Sequence, residues 1–155
     1  MQIEWLIIDG YNVLYTQRNL VKLLKSNPQK AKANLIRIIE NYVVTISKKT
    51  TIIFDGKKNE KDPFLNSKFI EVIYSSSNLS ADGLIERLVY SSNNPSKICV
   101  VTSDHLEQQT VSSSGANFQT SEDFMNRCNN KKIEYSSKIK SFEKPKLGDV
   151  FPNDE

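Results

Sequence analysis

Four acidic residues stand where the course of the chain would bring them together. Asp9 closes the apolar run Leu6-Ile7-Ile8 and leads into Gly10, Tyr11 and Asn12. Asp55 closes Ile52-Ile53-Phe54 ahead of Gly56, and Asp104 follows Val100-Val101-Thr102-Ser103. Asp82 comes after a serine-rich loop, in what reads as the first turn of a helix; Glu86, four residues on, shares its helical face. Short apolar runs stopped by turn residues read as buried strands. In open α/β sheets, ligands bind at the carboxyl ends of such strands. Carboxylates gathered there repel, by roughly 4 kcal/mol for two charges ~4 Å apart at an effective dielectric near 20. Several such pairs would use up much of the ~5–15 kcal/mol that stabilises a domain. Either some stay protonated or a divalent cation neutralises them, and an all-oxygen set favours Mg²⁺ or Mn²⁺ over zinc. A cation so held lowers the pKa of a bound water and steadies a phosphate during in-line attack. The expected chemistry is metal-dependent phosphodiester hydrolysis.

Each acid alone has a simpler role. Asp-Gly is a common turn pair, Asp82 suits the positive end of a helix, Asp104 could cap one, and Glu86 could be a solvated helix residue. Their convergence on one sheet edge is what points to a site. Asp9, Asp82 and Asp104 are expected at its centre, Glu86 beside them, and Asp55 in a secondary place, serving the loop. Asn12 is placed to orient a ligand or a water. The single histidine, His105, argues against a Ser–His–Asp arrangement and reads as a surface or supporting residue. A haloacid-dehalogenase-type phosphotransferase needs a second aspartate where Tyr11 stands. A receiver domain needs paired acids after its first strand and a late lysine, neither of which is evident. There is no Walker glycine loop and no G-x-G-x-x-G.

The elements that must position these residues follow from periodicity. Ile3 to Ile8 is the first strand. A polar, basic segment comes next, with a short helix over Leu20–Lys25. Asn27-Pro28 is a helix start, and Leu35, Ile36, Ile39, Val43 and Ile46 recur at helical spacing over about Gln29–Ser47. A second strand ends at Phe54, a charged loop runs from Lys57 to Pro63, and Phe69–Tyr74 is a third strand. Ser80 caps a helix with core residues Leu84, Ile85, Leu88 and Val89, which Asn93-Asn94-Pro95 ends. A fourth strand opens at Lys97, a short helix spans Leu106–Ser112, Gly115–Gln119 is an edge strand, and a last helix runs from Ser121 to about Asn130. Beyond Lys131 the pattern fades: Ile133, Tyr135 and Ile139 could dock as a short helix, and Phe142–Glu155 carries two prolines and no periodicity, as a mobile tail would. Strands alternating with helices imply parallel βαβ units. The expected fold is α/β, a three-layer α/β/α sandwich around a mainly parallel sheet, with a domain over 1–131 and an extension over 132–155.

Composition fits this reading. The 155 residues and 38% hydrophobic content suit one domain. No apolar run approaches the ~20 residues of a membrane span, and no basic-then-apolar leader precedes the first strand. Cys99 and Cys128 fit no metal spacing, and Cys99 lies in an apolar run, so a reducing, cytoplasmic setting is expected, an organellar stroma being the alternative. From Arg18 to Lys49 eight basic residues face one acid, a net +7; from Ser80 to Asn130 three basic residues face six acids, a net −3. A basic half beside an acidic one suits a protein that holds a polyanion near a metal-binding pocket.

Asp9-Gly10-Tyr11-Asn12, Phe54-Asp55-Gly56, Ser80-Ala81-Asp82 with Glu86, and Val100-Val101-Thr102-Ser103-Asp104 with Gln108 together resemble the NYN-domain nucleases of the PIN-like group, closest to the YacP-like branch. The likeness runs in order and spacing to about Asn130. It implies a PIN-like fold and a Mg²⁺- or Mn²⁺-dependent endoribonuclease that cleaves RNA phosphodiester bonds with a metal-activated water. Asp9, Asp82 and Asp104 would be metal ligands, Glu86 a fourth acid, and Asn12, Thr102 and Ser103 would shape the substrate edge. Single-stranded RNA or mRNA is the implied partner, the ribosome an implied context, with no membrane and no small-molecule cofactor. Lys22, Lys25 and Lys30 are the candidate phosphate contacts. The other function class consistent with these residues is a non-catalytic RNA- or ribosome-binding module on the same scaffold. Gly83, directly after Asp82, departs from the pattern and weakens a helix by up to ~1 kcal/mol.

Overall fold

Side chains alternate across a strand, so a strand covered on both sides is apolar throughout. In the computed structural model, which describes residues 2–56, 60–61, 65 and 67–131, the strand β1 (Ile3–Asp9) behaves in this way from Leu6 to Ile8. Leu6 and Ile8 enter one core cluster, and Ile7 enters the other. Around β1 lie β2 (Ser47–Phe54), β3 (Glu60–Lys61), β4 (Ile70–Tyr74), β5 (Ile98–Val101) and β6 (Asn117–Gln119), in the order β3-β4-β2-β1-β5-β6. Five strands are parallel, and only the two-residue β3 runs antiparallel.

Helices α1 (Gly10–Leu14), α2 (Arg18–Ser26), α3 (Pro28–Ile46) and α6 (121–131) cover the face carrying Leu6, Ile8, Ile52 and Phe54. Helices α4 (Ala81–Tyr90) and α5 (His105–Ser113) cover the face carrying Ile7, Ile53 and Val100. The fold is the three-layer α/β/α sandwich expected. Side-chain caps set the starts of α3 and α4: Asn27 Oδ1 accepts from Lys30 N at 3.2 Å, and Ser80 Oγ accepts from Gly83 N at 3.2 Å. Gly83 lies within an unbroken α4, and the Leu79 side chain occupies the space that a Cβ there would need, 2.6 Å from it.

The structure differs from the sequence reading in several elements: β3 forms within the stretch read as a charged loop, and Lys97 closes a 3-10 turn, Pro95–Lys97, ahead of β5 rather than opening the strand. The segment after β1 folds at once into α1. That is possible because residue 10 is glycine: a Cβ there would lie 2.5 Å from the Phe54 ring and 2.9 Å from the Ile53 carbonyl oxygen. Strand β5 stops at Val101, so Asp104 follows the two-residue loop Thr102-Ser103 and sits at the N-cap of α5. Both cysteines are free and buried, and burial pushes their thiols up to about 11 for Cys99 and about 12 for Cys128. No helix among the described residues is long and apolar enough to cross a membrane. Ile133, Tyr135, Ile139, the 142–155 tail and most of the 57–63 loop lie outside the described residues.

Candidate acidic centre

The carboxyl edge of a parallel sheet gathers whatever ends its strands. Asp9 is the last residue of β1, Asp82 lies in the first turn of α4, and Glu107 lies in the first turn of α5. Each places a carboxylate oxygen within 4.8 Å of the other two. Asp9 is 7% exposed and Glu107 1%. Neither Glu107 oxygen reaches a donor at bonding distance among the described residues. The Thr102 hydroxyl and the Asp9 carboxyl stand near enough to influence its charge without closing a bond.

Burial first, then the Asp9 charge, pushes the Glu107 carboxyl up to about 8. Burial first, then the Asp82 charge, pushes Asp9 up to about 7, against a lowering contribution from the Asn12 N–H. Asp82 is raised as well, by burial and by the neighbouring Asp104. Such acids near neutral pH carry either a proton or a counter-charge. A buried carboxylate without a donor is costly on its own. Oxygen-only ligands of this kind match a hard divalent cation. The residues present therefore fit the cation that the sequence pattern implies.

The other expected site residues surround this trio. Asp104 lies beside Asp82, while its Oδ1 accepts from Leu106 N at 2.9 Å and Glu107 N at 3.3 Å. Asp55 is exposed, accepts from Ala81 N at 2.8 Å, and so fixes the start of the helix that carries Asp82. Glu86 is half-buried one turn along α4 and is not one of the three grouped acids. Asn12 Oδ1 accepts from Ser103 N at 2.9 Å and from Ser121 Oγ, tying α1 to the β5–α5 loop and to α6. Ser103 Oγ accepts from Ser121 N at 2.9 Å, and Thr102, fully buried, accepts from Asp104 N at 3.1 Å. Lys22 and Lys25 are exposed on α2 and Lys30 on the first turn of α3; His105 is exposed beside a cavity of about 500 Å³ with Gln108 and Phe118, apart from the acids.

Glu107 is the member that the sequence reading counted only as a charge. Asp104-x-x-Glu107 looks like a capping box, whose glutamate reaches back to its own helix start. The available signal was its spacing from Val111: the two lie four residues apart on the buried face of α5.

A doubly covered parallel sheet with acids at its carboxyl edge defines an α/β domain of the PIN-like kind, with its site at the strand ends. The chain belongs to the YacP-like NYN domain family, which it matches over residues 6–152. It is 31% identical over 114 residues to the uncharacterised protein YacP of Bacillus subtilis, covering 72% of this chain and 66% of that protein. It is also similar to the crystal structure of Rae1 (YacP) from Bacillus subtilis, with a TM-score of 0.72 at 25% identity over 94% of this chain and 84% of that one. A tryptophan-to-leucine mutant of Rae1 gives a TM-score of 0.71 at 24% identity, over 90% and 82% of the two chains. NYN domains are generally nucleases, and the acidic centre is compatible with a divalent metal.

Proposed function

We propose that this chain is an endoribonuclease that hydrolyses phosphodiester bonds of single-stranded RNA at the acidic centre. The observation that carries this reading is the convergence of Asp9, Asp82 and Glu107 within 4.8 Å, with Glu107 buried and unsatisfied. A non-catalytic RNA binder gains nothing from keeping three repelling carboxylates at one point. Asp9, Asp82, Asp104 and Glu107 would hold Mg²⁺ or Mn²⁺. The bound cation would acidify a water and screen the phosphate charge. Asn12 fixes the loop that carries Thr102 and Ser103, and through it the N-terminus of α5. Asp55 holds α4 in place from behind. Exposed Lys22, Lys25 and Lys30 supply phosphate contacts that carry affinity without reading sequence. The ribosome-bound mRNA implied by the family resemblance is the proposed setting.

The test is cleavage of an end-labelled single-stranded RNA in Mg²⁺ or Mn²⁺, with chelator as control. Asp9→Asn and Asp104→Asn should abolish cleavage and leave RNA binding largely intact. Loss of binding together with cleavage, or a variant that fails to fold, would count against these catalytic roles. Cleavage that appears only with ribosomes present would favour the ribosomal setting.

A further inference from the structure

Tyr15 stands at the end of α1, 59% exposed, an aromatic ring in water one helical turn beyond Tyr11. It is not a loose surface residue. Its ring stacks on Tyr11 at 6.0 Å between centroids and 26° between planes. Tyr11 is fixed from the other direction. It meets Phe54 edge-on at 5.0 Å and 68°, and the Lys32 ammonium lies 5.6 Å from its centroid. Lys32 is itself buried, 5.3 Å from the Phe54 centroid and 3.1 Å from the Tyr74 hydroxyl. The outer ring thus rests on a backed inner ring, so little freedom is lost when something stacks on it.

Position gives the platform its meaning. Burial raises the Tyr11 phenol and Asp82, and the Asp55 charge adds to both, so both stand within reach of one carboxylate. Asp9 immediately precedes α1, and at ~1.5 Å per residue Tyr15 follows it by about 9 Å along the helix. That is two to three nucleotides at the ~3.4 Å rise of a stacked strand. Beyond Tyr15, Arg18, Lys22 and Lys25 are exposed at i, i+4 and i+7 of the next helix and share one face. Acidic centre, aromatic pair and cationic face follow one another along the chain.

We propose that Tyr15, backed by Tyr11, stacks an unpaired nucleobase within three nucleotides of the scissile phosphate, and that the Arg18–Lys22–Lys25 face carries the phosphates beyond it. The proposal rests on the reading of this chain as an RNA nuclease. It supplies a physical reason for single-strand preference: inside a duplex both faces of a base are already stacked. It also implies tolerance of base identity, since every base offers a π-face.

The test measures binding, in chelator, of a single-stranded RNA of about ten nucleotides carrying one 2-aminopurine, moved along the oligonucleotide. The full chain, Tyr15→Ala and Tyr15→Phe are compared, with thermal melts as folding control. One 2-aminopurine position should be quenched by wild type and by Tyr15→Phe, and not by Tyr15→Ala. Tyr15→Ala should weaken binding roughly ten-fold or more. An abasic site at the quenched position should weaken wild type equally and leave Tyr15→Ala nothing further to lose. The stack is overturned if Tyr15→Ala binds intact RNA as wild type does, or loses as much on abasic RNA as on intact RNA. In both cases RNA binding and cleavage by wild type would leave the nuclease reading standing. Wild type that binds no RNA, with or without divalent cation, overturns both.

Discussion

Replacing Glu107 by glutamine should make the cation-free protein more stable at alkaline pH and leave it unchanged at acid pH. The carboxyl has an ordinary value of 4.5 and is pushed up to about 8, mainly by burial and by Asp9. The folded state therefore holds a proton that the unfolded chain releases. A raised carboxyl costs nothing while both states are protonated, below about pH 4. The cost grows as pH rises from there, and levels off once the folded-state value has been passed near pH 8. Taken whole, a shift from 4.5 to about 8 corresponds to roughly 5 kcal/mol. Part of the repulsion the wild-type pair escapes by leaving a proton on Asp9, and a buried glutamine amide carries a desolvation cost of its own, so a gain of about 2–4 kcal/mol at pH 8.5 is the working figure. For a chain of this length it raises Tm by roughly 5–15 °C. Thermal melts in chelator between pH 4.5 and 8.5 measure it. Saturating Mn²⁺ should reverse the order, because the cation stabilises only a folded state that binds it. Melting curves for Glu107→Gln that keep a constant offset from wild type across this pH range would refute the reasoning. So would a variant less stable than wild type at pH 8.5 in chelator.

Cation binding should release protons, since Asp9 and Glu107 are raised to about 7 and about 8 and must ionise to become ligands. Calorimetry in buffers of different ionisation enthalpy should find proton release near pH 7, and Mn²⁺ affinity should rise between pH 6 and 8; a pH-independent affinity would exclude these acids as ligands. Asn12→Ala removes the acceptor shared by Ser103 N and Ser121 Oγ. It should lower stability by about 1–3 kcal/mol and reduce cleavage, and an unchanged denaturation midpoint would remove Asn12 from its positioning role. Neutralising Lys22 and Lys25 should flatten the log–log salt dependence of RNA affinity by roughly 0.7 per lost phosphate contact. An unchanged slope would mean that both side chains merely solvate α2.

The fold was largely legible in the sequence, and the reason is burial. Strands covered on both faces are written as apolar runs, and α3 repeats its apolar residues along nineteen helical positions. What escaped was decided by packing between distant segments. Helix α1 exists because Gly10 lets the backbone settle against Phe54, a contact between residues 44 apart in sequence that no local pattern carries. The acidic centre divides in the same way. Asp9 and Asp82 stand out because each breaks a local pattern, one ending a strand and one opening a helix. Glu107 breaks none: in sequence it looks like the fourth residue of a capping box. Its burial against Asp9 comes from the pairing of β1 with β5, which sets the start of α5 against the end of β1. Asp104, the acid that sequence favoured, then divides its carboxylate between capping α5 and facing Asp82. These two residues make separable predictions. Asp104→Asn keeps a good cap and should leave the helix start intact while relieving the repulsion that, after burial, raises Asp82. Glu107→Gln should leave capping untouched and remove a buried charge. If Asp104→Asn reduces cation affinity as much as Glu107→Gln does, both belong to the ligand set; if it does so far less, Asp104 acts mainly through the helix it caps.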